Sequence, residues 1–205
     1  MDGFQHLKGY FTPSDQKALL ADVLSIIKAA PLYIPTMPKT GRPFSVKETN
    51  CGALGWFSDK AGYGYRATHP KTGKAWPPIP ANFINLWQEV APNAAAPEAC
   101  LINLYHSKAK MGLHQDKDEQ EFETPVVSLS LGSSAKFRLG GLTRRAPTTS
   151  LELASGDVVV LGGKARLAYH GIDRIIPNSS DLMEDYPEWQ GYRINVTLRR
   201  VTETT

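Results

Sequence analysis

In the stretch Gly-Leu-His-Gln-Asp-Lys-Asp (residues 112–118), His114 and Asp116 have the types and spacing that could hold a metal ion. In an extended chain, residues two apart leave the same face, so this imidazole and this carboxylate would stand side by side. A third ligand would complete a two-histidine, one-carboxylate set with open positions, the pattern of non-haem Fe(II) oxygenation. His170, directly after the β-prone stretch Arg166 to Tyr169, is the candidate, because His6, His69 and His106 lack a carboxylate two residues away. The same three ligands would also suit zinc and hydrolysis, and His-x-Asp by itself is equally an ordinary polar turn.

The segment Tyr192 to Arg200 adds a second chemical signal. Tyr192, Ile194, Val196 and Leu198 alternate with Arg193, Asn195, Thr197 and Arg199, giving one apolar face and one face with two guanidiniums. At about 3.3 Å per residue, the Cα atoms of Arg193 and Arg199 stand roughly 20 Å apart. Two arginines reaching inward would leave a gap suited to a short dianion such as a dicarboxylate. Asn103 and Tyr105 share a face of another segment and could complement the cations. A polar sheet edge facing water would show the same alternation.

Elements must exist to position these groups. The chain has 205 residues, 41% hydrophobic and 21% charged, a globular balance with a net charge of +3. Residues 39–74 concentrate positive charge: Lys39, Arg42, Lys47, Lys60, Arg66, Lys71 and Lys74 face only Glu48 and Asp59, which suits a polyanion. Cys51 and Cys100 are too few for a disulfide framework and lack paired zinc spacing. The expected home is therefore the cytoplasm, with no membrane association, and no heptad pattern points beyond a monomer. Thr12-Pro13-Ser14-Asp15 reads as a helix start, predicting a helix over Pro13 to Ala29, and a second helix follows Pro80. Residues 31–80 read as loops and short strands. Strands are predicted at Ala99–Tyr105, Val126–Leu131, Ala135–Leu139, Ser150–Leu153, Asp157–Leu161, Arg166–Tyr169 and Tyr192–Val201, with a surface loop at Asn178–Glu188. So many short strands predict an antiparallel sandwich or jelly roll.

The segments NCGALGW (50–56), ACLINLY (99–105), LHQDKDE (113–119), VVSLSLG (126–132), GDVVVLGG (156–163) and YRINVTLR (192–199) resemble the AlkB family of Fe(II) and 2-oxoglutarate dependent dioxygenases. The resemblance implies an α+β fold: a double-stranded β-helix (jelly roll) core over about 96–205, with N-terminal helices and a nucleotide-recognition lid within about 1–95, as one oxygenase domain. It implies Fe(II) on His114, Asp116 and His170, and 2-oxoglutarate among Asn103, Tyr105, Arg193, Asn195 and Arg199. It further implies that O2 and 2-oxoglutarate drive oxidative demethylation of 1-methyladenine and 3-methylcytosine type lesions in DNA, single strands favoured, with release of formaldehyde, succinate and CO2. Trp56, Tyr63, Tyr65, Asp118 and Arg144 match the family's nucleotide contacts. RNA or protein as substrate, or a binding module without turnover, are the alternatives. The chain departs from the family pattern in its first 40 residues, at Glu48, where an apolar residue would line the pocket, and at Leu161, where a Trp would follow GDVVV.

Overall fold

The computed structural model describes residues 1–203. The chain runs β1 (Phe4–Leu7), α1 (Pro13–Ala29), β2 (Val46–Gly52), β3 (Gly55–Asp59), β4 (Gly62–Arg66), α2 (Ala81–Val90), β5 (Ala99–Tyr105), β6 (Met111–His114), β7 (Val126–Gly132), β8 (Ser134–Leu139), β9 (Thr149–Leu153), β10 (Val158–Leu161), β11 (His170–Ile176) and β12 (Arg193–Arg199). A six-stranded sheet in the order β1-β10-β7-β12-β5-β2 faces a four-stranded sheet, β6-β11-β8-β9, and β3-β4 form a separate hairpin. The pairings are antiparallel throughout. This is the predicted jelly roll. The first 95 residues contribute β1 and β2 to its larger sheet.

Period-two alternation sorts the core. On β7, Val127, Leu129 and Leu131 join Ile194, Val196 and Leu198 of β12 and Ile102 and Leu104 of β5 against the helices. The helices supply Leu19, Leu20, Val23 and Ile26 from α1 and Phe83, Leu86 and Trp87 from α2. The opposite face meets the smaller sheet. There Val126, Val159 and Leu161 pack with Phe137, Leu139, Leu153, Ile172 and Ile175. The functional face of β12 is thus enclosed between two sheets, and a solvent-facing polar edge is ruled out.

Helix α1 starts where its capping residues place it. Thr12 and Asp15 form a reciprocal capping box with Pro13 at the first helical position. Pro31 disfavours helical geometry at the preceding residue, and Ala30 is extended with φ −128°.

Two expectations about elements need correction. Residues Arg166–Tyr169 are not a strand: a 3-10 turn occupies Gly163–Ala165, and the strand begins at His170. Gly163, at φ +48°, starts that turn in a conformation that glycine tolerates. A register shift between Ile172 and Arg174 breaks the alternation that would have marked β11. Strand β2 is among the short strands expected within residues 31–80, although Glu48, Thr49 and Asn50 are buried polar residues that blur its apolar signal. Residues 178–188 are irregular, yet Met183 is buried in the helix-side core.

Candidate active site

The sheet register builds the site. On the inner face of the larger sheet, Glu48 of β2 stands opposite Asn103 of β5, which stands opposite Asn195 of β12, which stands opposite Ser130 of β7. One row away, Val46 opposes Tyr105, and Tyr105 opposes Arg193. His114 at the end of β6 pairs with His170 at the start of β11, so the smaller sheet brings together two residues distant in sequence. A cavity of about 540 Å³ lies between the sheets and is lined by all of these residues except Val46 and Ser130.

His114, Asp116 and His170 each present a ligand atom, and the three atoms lie within 4.8 Å of one another. The Nε2 atoms of His114 and His170 are 3.8 and 3.7 Å from opposite oxygens of Asp116, longer than hydrogen bonds. Each histidine turns Nδ1 to a backbone carbonyl, Gly112 at 2.9 Å and Ala168 at 3.0 Å. Those bonds hold the proton on Nδ1 and leave both Nε2 lone pairs for an ion. Burial, followed by the neighbouring His114, pulls His170 down to about 4, so it is neutral and ligand-competent near pH 7. Burial opposes ionisation of Asp116, but Arg199, His170, His114 and Arg166 overcome it and hold the carboxyl well below its usual range. The donor set fits Fe(II).

Arg199 ties this centre together. Its Nη2 is 2.9 Å from Asp116 Oδ1, its Nη1 donates to the Tyr65 hydroxyl at 3.3 Å, and Glu119 is also within ion-pair distance. Tyr65 donates to Glu119 as well. Arg193, by contrast, is 1% exposed and donates only to Ser130 Oγ at 2.9 Å and its neighbour's carbonyl, Ile194 O, at 3.3 Å; its Nε has no partner. Burial pulls Arg193 down to about 10. A buried guanidinium with no carboxylate in contact, only Asp157 acting at a distance, is costly unless an anion arrives. The Oδ1 atom of Asn103 is also buried without a partner. The orphaned guanidinium fits a carboxylate guest such as 2-oxoglutarate, whereas Asn103 Oδ1, an acceptor, calls for a donor. Asn195 is already engaged: its amide donates to Ser128 Oγ at 2.7 Å and Leu129 O at 3.1 Å. Tyr105 is buried, its hydroxyl against Met111 Sδ at 3.7 Å, and burial pushes it up to about 12.

The β3-β4 hairpin covers the mouth. The Trp56 backbone is pinned by Asn50, whose side chain accepts from Trp56 N and donates to Trp56 O, both at 3.0 Å. Its ring stacks with Tyr63 at 5.7 Å, and its indole N–H donates to Asp118 at 2.8 Å. Tyr63 is half exposed, whereas Tyr65 points inward to Glu119 and Arg199. Of the expected nucleotide contacts, Trp56, Tyr63, Asp118 and Arg144 line the cavity, and Tyr65 stands behind it. Sequence reasoning overlooked Arg166 and Glu119. Arg166 donates to Asp116 O at 2.7 Å, Thr124 O at 3.0 Å and Glu119 at 3.3 Å, bracing the loop that carries Asp116. Only a fold that returns residue 166 beside this loop makes that role visible.

Residues 3–199 match the model of the 2OG-Fe(II) oxygenase superfamily. The chain is 48% identical over 198 residues to an alpha-ketoglutarate-dependent dioxygenase AlkB homolog of Caulobacter vibrioides, covering 97% of this chain and 87% of that protein. It is 42% identical over 186 residues to alpha-ketoglutarate-dependent dioxygenase AlkB of Escherichia coli, covering 89% and 83%. The solved structure of OsALKBH1 superposes with a TM-score of 0.84 at 28% identity, covering 97% of this chain and 96% of that one. With the metal-ligand cluster and the buried carboxylate cradle already assembled, these matches lead to one conclusion: the chain belongs to the AlkB family of 2OG-Fe(II) oxygenases and is a dioxygenase that uses Fe(II), 2-oxoglutarate and O2.

Proposed function

We propose that the chain removes methyl groups oxidatively from N-alkylated bases of DNA, of 1-methyladenine and 3-methylcytosine type, favouring single strands and so reversing damage directly. One observation carries this reading: the His114, Asp116 and His170 cluster opens on the same cavity as the stacked Trp56 and Tyr63. The pairing edge of a base is hidden in a duplex, so such an enzyme takes single strands or extrudes the base onto a stacking surface. More distant relatives agree in substrate class. A human relative, 32% identical over 142 residues, is named nucleic acid dioxygenase ALKBH1, and one from Schizosaccharomyces pombe, 34% identical over 110 residues, is named tRNA demethylase abh1.

In this reading His114, Asp116 and His170 hold Fe(II). Arg193, steadied by Ser130 and flanked by Tyr105, takes the distal carboxylate of 2-oxoglutarate, while Asn103 and Arg199 flank the keto acid end. Asn195 keeps this face of the sheet in order through Ser128 and Leu129. When bound, Fe(II), 2-oxoglutarate and O2 supply the oxidation, in which the N-methyl carbon is hydroxylated and lost as formaldehyde while 2-oxoglutarate becomes succinate and CO2. Trp56 and Tyr63 present the stacking surface. Asp118 accepts the indole N–H and has lone pairs left for the amino group of a base. Tyr65 links the hairpin to Arg199, and Arg144 at the rim faces the phosphates.

The test is purified protein with Fe(II), ascorbate, 2-oxoglutarate and methylated single-stranded oligonucleotides, read by mass spectrometry. Restored bases with matching succinate and formaldehyde are expected. Conversion of methylated tRNA or of a peptide instead would reassign the substrate, and no consumption of 2-oxoglutarate with any of them would leave a binding module.

A further inference from the structure

A buried carboxyl group without an ion-pair partner needs an explanation, and Glu48 is such a group among the described residues. It lies at the centre of β2, 2% exposed, on the cavity face. Its Oε1 has no hydrogen-bond partner. The groups that face it are Tyr33 from the loop before β2, Asn103 and Tyr105 from β5, and Arg199 from β12. Arg199 is already committed to Asp116 and Glu119, so it balances Glu48 only at a distance. Burial pushes the Glu48 carboxyl up to about 8 despite Tyr33 and Arg199, which marks it as a group short of positive charge.

The position of Glu48 says what would bring that charge. Its backbone exchanges two hydrogen bonds with Tyr33, at 2.8 and 2.9 Å. The Tyr33 hydroxyl donates to Trp56 O at 3.3 Å, and Asn50, two residues along the same face, clamps Trp56 from below. Glu48 is therefore bracketed by the two residues that fix the stacking tryptophan, and it shares a cavity with Trp56 and His114. A cationic base stacked on Trp56 would bring a positive charge into the cavity that Glu48 lines. Methylation at N1 of adenine or N3 of cytosine makes the base a cation flanked by an exocyclic amino donor. Methylation at N1 of guanine or N3 of thymine leaves a neutral base with a carbonyl acceptor beside the methylated nitrogen, on one side in guanine and on both sides in thymine. A carboxylate attracts the first kind and opposes the second.

We propose that Glu48 is a specificity-determining residue that selects positively charged methylated bases by accepting a charge-assisted hydrogen bond from the base edge. The proposal rests on the nucleobase reading above. It gives this chain a selection device on β2, in addition to Asp118 at the mouth.

The experiment compares wild type, Glu48→Gln and Glu48→Leu on four single-stranded oligonucleotides carrying 1-methyladenine, 3-methylcytosine, 1-methylguanine or 3-methylthymine. Turnover is measured with Fe(II) and 2-oxoglutarate, and fluorescence anisotropy of the metal-free protein measures affinity without turnover. Glu48→Gln keeps an acceptor but removes its charge, and should lower kcat/KM and affinity for the two cationic bases about tenfold, the loss of charge assistance to one hydrogen bond. The two neutral bases should be unchanged or improved, and the KM for 2-oxoglutarate should not move. Glu48→Leu should lose the same discrimination while melting at a higher temperature, because a buried carboxyl with one oxygen lacking a partner has been removed. An equal loss on all four oligonucleotides, or a shift confined to the 2-oxoglutarate KM, would overturn the assignment. If wild type turned over none of the four, the nucleobase reading would fall on the activity arm. The anisotropy ratio would still decide whether Glu48 favours cationic bases.

Discussion

Arg193 and Arg199 leave the same face of one strand and are 1% and 6% exposed, yet their surroundings differ in kind. Arg199 contacts Asp116, Glu119 and Tyr65, and those contacts overcome burial to hold it well above the usual arginine value. Arg193 has a serine hydroxyl and a carbonyl, and burial pulls it down to about 10. Equal burial with unequal compensation separates what the fold completes by itself from what it reserves for a guest. The metal half of the site is balanced by protein charges. The cosubstrate half has a charge deficit that a dicarboxylate fills.

Several substitutions would break or sharpen that division. Asp116→Ala removes the shared carboxylate from the metal half and strands Arg199; we expect metal content near zero and succinate release reduced on the order of 10³-fold or more. Arg199→Gln leaves the three ligands in place but frees Asp116. Mn(II) affinity should fall about 10- to 100-fold, measured by competition titration. Glu48 supplies a pH test of buried, uncompensated charge. Its folded value, about 8, lies above the unfolded value of 4.5, so the folded protein keeps a proton that the unfolded chain releases. The resulting stability is fully present below pH 4.5 and is lost as pH rises through 8. Glu48→Leu should remove a pH-dependent stability difference of about 5 kcal/mol across this window, read in metal-free denaturant titrations. Ser130→Ala, the smallest change, removes the bond that steadies Arg193 and should raise the 2-oxoglutarate KM about fivefold without changing metal affinity.

The sequence was most readable where local patterns coincide with tertiary roles. Thr12 to Asp15 announce α1, and the strict alternation on β12 separates the helix-packing face from the arginine face. His114 and Asp116 could be paired by spacing and His170 offered as a third ligand from a separate segment, but the strand that begins at His170 is interrupted by a bulge, and family resemblance was needed to choose Fe(II) over zinc. Strand β2 was expected only as an unplaced short strand, because several of its buried residues are polar: Asn50 clamps Trp56 and Glu48 lines the cavity. Tyr65, matched to a nucleotide contact, bonds Glu119 and Arg199 in the structure, a relation set by strand crossings across the whole chain. Charge compensation is not a local property, so no inspection of 192–200 alone separates Arg193 from Arg199.

The most direct measurement is calorimetric titration of 2-oxoglutarate into Mn(II)-loaded wild type and Arg193→Met, with Mn(II) affinity measured in parallel. The expected result is an unchanged Mn(II) affinity with 2-oxoglutarate binding weakened about 100-fold, together with a more stable ligand-free protein because a buried unpaired charge is gone. Wild-type affinity for 2-oxoglutarate in Arg193→Met would contradict the division of the site into a balanced metal half and a charge-deficient cosubstrate half.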